Sequence, residues 1–120
     1  MKKLTCHCKK IELDVNLPDE PNILLRCNCS ICVRKGAIMA MVGPNDLKII
    51  KGQEFLKTYT FHTNKAKHYF CSNCGIYTHH KPRRNPESFG VNLGCIDFFQ
   101  SKDLKEIKLI DGKNHPMDKK

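Results

Sequence analysis

Seven of the eight cysteines in this 120-residue chain fall into three tight groups, Cys6-x-Cys8, Cys27-x-Cys29-x-x-Cys32 and Cys71-x-x-Cys74. Cysteines so close together act either as disulfide partners or as ligands to a metal. Spacing favours metal, because closely set pairs such as C-x-x-C, repeated along a chain, are the pattern of thiolate zinc sites. Compartment points the same way. Met1-Lys2-Lys3 is followed by no apolar run of the kind a secretory signal requires, and no stretch has the length of a membrane span. The chain is therefore expected in the reducing cytoplasm, where stable disulfides are rare.

One metal site is expected on Cys6, Cys8, Cys71 and Cys74. Residues i and i+2 of an extended segment project to the same side, so Cys6 and Cys8 can converge on one ion. Cys71-Ser72-Asn73-Cys74-Gly75 reads as a zinc knuckle, with Gly75 supplying the sharp exit. Four thiolates close a tetrahedron and make a structural site.

The second group, Cys27, Cys29 and Cys32, offers three thiolates within six residues. Three protein ligands and an open fourth position is the pattern of a catalytic zinc, whereas Cys95 or a histidine in the fourth position would make a second structural site. Spacing leaves both arrangements open. An open three-thiolate zinc is a weak Lewis acid, poorly suited to making hydroxide and well suited to a soft fourth ligand. A thiol binding there would lose its proton, which favours thiol chemistry over hydrolysis. Four thiolates hold iron as readily as zinc.

The elements that must position these thiols are short and mostly strands. Ile11, Leu13 and Val15 alternate with Glu12 and Asp14, a half-buried strand. Strands are also expected over Ile23–Cys27, Ala37–Val42, Leu47–Ile50, Phe55–Phe61, His68–Cys71, Ile76–His79 and Ser88–Cys95, with turns at 18–22, at 43–46 and around Gly52. Helix is scarce, with Phe98–Leu104 able to hold a turn or two, and the tail from Asp111 to Lys120 is expected to fray. The pattern is that of an all-β domain over residues 1–120, its core spanning about residues 4–100.

The hydrophobic share is 40%, there is no tryptophan, and the formal charge is +9, with local density at Lys81-Pro82-Arg83-Arg84 and Lys119-Lys120. Such a surface could meet nucleic acid, an anionic small molecule, or only solvent. Arg34 and Lys35, directly after the cysteine triple, could hold a carboxylate. Lys81, Arg83 and Arg84 could do the same but read more simply as a solvated loop. His62, His68, His79 and His80 are candidates for proton transfer, weighed against plain strand-face histidines. Of these, His79 and His80, just past the knuckle, stand out. Phe61, Tyr69, Phe70 and Tyr77 follow strand periodicity and are expected in the core.

In combination these motifs resemble the glutathione-dependent formaldehyde-activating enzyme family, which also includes centromere protein V. The resemblance rests on the order C-x-C, then C-x-C-x-x-C with Arg34-Lys35-Gly36-Ala37, Lys51-Gly52, Phe70-Cys71-x-x-Cys74-Gly75 and Val91-Asn92-x-Gly94-Cys95-Ile96-Asp97. It runs from about Leu4 to Asp97. It implies a β-tent fold of short antiparallel strands, a structural zinc on Cys6, Cys8, Cys71 and Cys74, and a catalytic zinc on Cys27, Cys29 and Cys32. The implied activity is that of a carbon–sulfur lyase in which glutathione adds reversibly to formaldehyde. The rival expectation is a non-catalytic zinc module that binds nucleic acid or protein through a basic face.

Overall fold

The computed structural model describes residues 1–17, 24–96 and 108–114. The alternation at Ile11–Val15 is realised as a strand, β2 (Glu12–Val15), with Leu13 and Val15 fully buried. It pairs antiparallel with β1 (Lys2–Thr5) on one side and β5 (Leu47–Lys51) on the other, forming a three-stranded sheet. The remaining strands are β3 (Leu25–Cys27), β4 (Met39–Val42), β6 (Leu56–Tyr59), β7 (Lys67–Cys71), β8 (Tyr77–Lys81), β9 (Phe89–Asn92) and β10 (Lys108–Ile110). They form a second sheet in the order β10-β3-β4-β9-β8-β7-β6. Every pairing is antiparallel except that of β10 with β3. The fold class is therefore all-β, as expected.

The core lies between the two sheets. Leu4, Ile11, Leu13 and Val15 from the first pack with Ala40, Val42, Val91, Leu93 and Ile96 from the second. An antiparallel bridge between Leu4 and Ile96 stitches the edge of one sheet to the end of the other. Cys6, Cys71 and Cys95 belong to this apolar cluster, so thiols are part of the packing.

Among the described residues there is one α-helix, α1 (Ser30–Lys35), which the sequence reading did not single out. It is short enough to depend on its caps. Cys29 is the N-cap, its Sγ accepting from the Cys32 amide, and Gly36 closes the other end in the left-handed conformation at φ 64°, its amide donating to the Cys32 carbonyl. The turn expected at 18–22 and the helix expected at Phe98–Leu104 lie outside the described residues. Among the described residues no helix is long and apolar enough to cross a membrane.

Of the tail from Asp111 to Lys120, residues 111–114 are described. Ile110 in β10 pairs with Cys27, and Gly112–Asn114 form a 3-10 turn against the Cys27–Cys29 loop. Asn28 fastens the two segments. Its amide nitrogen donates to the Ile110 carbonyl at 3.0 Å, its side chain donates to Asp111 Oδ1 at 3.0 Å, and its side-chain oxygen accepts from the Lys113 amide at 2.9 Å. Three hydrogen bonds on one asparagine hold Ile110, Asp111 and Lys113 in place.

Candidate metal centres and the cavity beside one of them

All eight thiols are unpaired, and seven of them form two groups able to hold a metal ion. In each group the sulfurs lie within 4.8 Å of one another. The first group is Cys6, Cys8, Cys71 and Cys74. Cys6 follows the end of β1 and Cys71 ends β7, while Cys8 and Cys74 stand in the turns beyond. Cys6 and Cys8 sulfurs are 3.6 Å apart, and Cys8 and Cys71 sulfurs 3.7 Å. A tetrahedron of thiolates at about 2.3 Å from an ion has an edge of about 3.8 Å, so the spacing fits without rearrangement. Backbone amides are also aimed at the sulfurs. Ile11 donates to Cys6, and Asn73 and Cys74 both donate to Cys71, each at 3.4 Å. Gly75, at φ 80°, lets its own amide turn back to the Cys71 carbonyl at 2.8 Å. Burial pushes the Cys6 thiol up to about 11, while hydrogen bonds from the Asn73 side chain and the Lys10 amide bring Cys8 down to about 6. The donors are all soft and ready to share negative charge, which suits a thiophilic divalent ion.

The second group is Cys27, Cys29 and Cys32. The end of β3 delivers Cys27. Cys29 caps α1, and Cys32 comes one turn later on the same side of the helix. Cys29 is held far below its ordinary value by hydrogen bonds from Cys27 and Cys32, and Cys32 is pushed far above it by its hydrogen bonds to Cys27 and Cys29. Cys29 is thus the first to ionise. The C-terminal segment roofs the group: a Cβ at Gly112 would run into Cys27 Sγ and lie 2.8 Å from Cys29 Cβ. Sequence reasoning missed this roof, because Leu109-Ile110-Asp111-Gly112 carries no periodic signal and pairs with a segment more than eighty residues earlier.

Cys95 does not belong to the second group. It is buried near Tyr77, whose carbonyl lies 3.5 Å from the Cys95 sulfur, and it accepts from the Asn92 side chain at 3.5 Å. Burial, followed by the charges of Cys6 and Cys74, pushes it to about 12. Its electrostatic neighbours are those of the first group, so it stays a protonated core thiol.

Beside the second group opens a cavity of about 420 Å³. Its wall includes Cys27, Cys29 and Cys32 together with His62, His68 and His80. His68 and His80 face each other across β7 and β8 with ring centroids 5.6 Å apart. Lys35, the last residue of α1, places Nζ 2.7 Å from His68 Nδ1 and 3.6 Å from the Tyr77 ring centroid. Tyr77 Oη is in turn 2.6 Å from His80 Nδ1. Burial lowers Lys35 to about 8, against the pull of the Cys32, Cys29 and Cys27 thiolates. Burial, then the Lys35 charge, brings His68 to about 4 and His80 to about 3.

The other candidates separate by position. His79 is buried on the opposite side of the sheet from His80, stacked on Tyr69 at 4.5 Å. Arg34 turns back along its own helix, donating to the Ser30 carbonyl at 2.7 Å, and does not line the cavity. Arg83 and Arg84 do line it, with Lys113. Tyr77 is in the core as expected, while Phe61 is half-buried in the cavity wall. Sequence periodicity places Tyr77 and His80 on opposite faces of a strand. The pairings Tyr69↔His79 and Phe70↔Tyr77 leave Thr78 as an extra, bulged residue, which brings Tyr77 to the His80 side.

Fold and site together define a strand-rich protein with two thiolate groups able to hold metal. The family model of the glutathione-dependent formaldehyde-activating enzyme matches residues 1–109, and the chain belongs to that family. It is also similar to a crystal structure of a Rhodobacter sphaeroides protein, at 44% identity with a TM-score of 0.84, over 90% of this chain and 99% of that one.

Proposed function

We propose that this protein is a zinc-dependent carbon–sulfur lyase that adds a thiol, glutathione in the first instance, to formaldehyde or a similar small aldehyde. The observation that carries the reading is the placing of three convergent thiols, without a fourth cysteine, in the wall of a cavity shared with His68, whose Nδ1 meets Lys35. Cys6, Cys8, Cys71 and Cys74 would hold a structural zinc, and Cys27, Cys29 and Cys32 a second zinc with one position for an exogenous ligand. Zinc bound there supplies a centre at which an incoming thiol gives up its proton.

The chain's own residues do the rest. Arg83, Arg84 and Lys113 at the cavity bind the carboxylates of the thiol and set its direction of entry. A protonated Lys35 donates to His68 Nδ1, which leaves the imidazole proton on Nε2. As the carbon–sulfur bond forms, His68 Nε2 gives that proton to the carbonyl oxygen while the Lys35 ammonium passes one to Nδ1, and the thiol's proton then restores Lys35. No net oxidation occurs: S–H and C=O become S–C and O–H. The Gly112 roof and the apolar wall keep water from the reacting atoms.

The test is calorimetric titration of glutathione into the zinc-loaded protein in two buffers of different ionisation heat. Saturable binding with proton release supports an ionising thiol at an open metal position. Absence of binding removes glutathione as the cosubstrate.

A further inference from the structure

The cavity is more apolar than a one-carbon electrophile needs. The space beside Cys27, Cys29 and Cys32 is about 420 Å³, within the range of pockets that enclose whole organic ligands, and it has to hold the thiol together with the electrophile. Leu25, Met39, Met41, Phe61 and Ile110 form much of its wall. These are poor partners for the amides of a peptide thiol, since burying such groups without hydrogen bonds is costly. They suit a hydrocarbon, and the two methionines can adjust to its shape. Away from the three thiols, the charged side chains of the lining have one sign. They include Arg83, Arg84 and Lys113, and among the described residues that line the cavity none is acidic. The site is therefore amphiphilic, with cations for an anionic head and an apolar wall for a tail.

We infer that the electrophile is an apolar aldehyde of several carbons, held as its adduct with a carboxylate-bearing thiol: the carboxylates at Arg83, Arg84 and Lys113, the hydrocarbon along Leu25, Met39, Met41, Phe61 and Ile110. This rests on the thiol-addition reading above and narrows its substrate. The chemistry balances as before. The thiol sulfur bonds to the carbonyl carbon, the carbonyl π bond opens, the thiol proton ends on oxygen, and no oxidant or reductant is consumed.

The experiment uses thioethers, which keep the carboxylates but have no thiol proton to lose. Glutathione and its S-methyl, S-butyl and S-hexyl derivatives are titrated into the zinc-loaded protein. Affinity is expected to climb along the alkyl series, towards about fourfold per buried methylene. Met41→Glu, at the cavity wall, should flatten that climb, and Arg84→Gln should weaken every member by a similar factor. In turnover with glutathione, hexanal should show a higher kcat/KM than acetaldehyde. A flat series with glutathione still bound overturns the inference and spares the thiol reading. A rising series without glutathione binding overturns the thiol reading and keeps the cavity's preference for an apolar tail. A climb that survives Met41→Glu unchanged places the alkyl group elsewhere and also overturns the inference.

Discussion

Lys35 Nζ lies 2.7 Å from His68 Nδ1, so the last residue of the helix that carries Cys29 and Cys32 is tied to the strand that ends in Cys71. A single contact therefore links the segments bearing the two thiol groups. It also sets the imidazole tautomer, because an ammonium can only donate.

Lys35→Met removes both the donor and the charge. His68 titrates at about 4 because it is buried and because Lys35 opposes a second positive charge. In the variant its pKa should rise, seen as a shifted imidazole titration by NMR, and turnover should fall about a hundredfold, the scale of a lost acid–base group. Wild-type turnover should decline above pH about 8 as Lys35 loses its proton. A His68 titration unmoved by the substitution would contradict the pairing.

Acid should unfold the protein through its histidines. His68 and His79 are held at about 4 and His80 at about 3, in each case first by burial. An exposed histidine titrates near 6.5, so between about pH 4 and 6.5 the unfolded chain binds more protons than the folded one. Stability therefore rises with pH across that window and is lost as pH falls through it, with a slope of about 1.4 kcal/mol per pH unit for each such group. His79→Phe keeps a ring against Tyr69 and should remove about one proton's worth of slope in urea titrations at pH 4.5, 5.5 and 6.5. Acid release of metal affects both proteins alike and does not move the difference.

Gly112→Ala tests the roof. The added methyl would meet Cys27 Sγ and Cys29 Cβ, so the segment must lift from the second thiol group. Metal affinity at that group and turnover should each drop at least about tenfold, the scale seen when support around metal ligands is disturbed, while the melting temperature moves by only a few degrees. Unchanged metal affinity would mean that the roof yields freely.

The two thiol groups should separate by mutation. Cys74→Ser removes a thiol from a group packed against the apolar core, beside buried Cys71 and Cys6. It should abolish cooperative unfolding, since structural zinc contributes folding energy outright. Cys27→Ser, in the half-buried second group, should halve the zinc content and abolish turnover while leaving the circular dichroism of the fold. Loss of folding in both variants would contradict the division into structural and reactive sites.

Much of the site could be read from local spacing. C-x-C and C-x-x-C mark each group within a few residues, although Cys8 stands in a turn rather than on the extended segment expected, and the joining of Cys6 and Cys8 to Cys71 and Cys74 is a long-range contact. What escaped the sequence depends on long-range or single-residue events. α1 is too short for a periodic signal, although Gly36 after Arg34 and Lys35 is an ordinary helix ending. The bulge at Thr78 reverses which side Tyr77 faces, while ordinary strand alternation puts His79 on the side away from His80. Asn28 captures the C-terminal segment through side-chain hydrogen bonds that no pattern of hydrophobicity records. Lys35 points inward and Arg34 outward because adjacent helix positions differ by about 100°, and only packing decides which of the two is buried.

The most direct measurement is exchange NMR on an equilibrium mixture of formaldehyde, glutathione and their hydroxymethyl adduct. Catalytic amounts of the zinc-loaded protein should accelerate exchange between the free aldehyde and the adduct methylene signals, and folded Cys27→Ser should not. Exchange at the uncatalysed rate with the wild-type protein, or equal acceleration by Cys27→Ser, would contradict carbon–sulfur bond formation at the Cys27, Cys29 and Cys32 group.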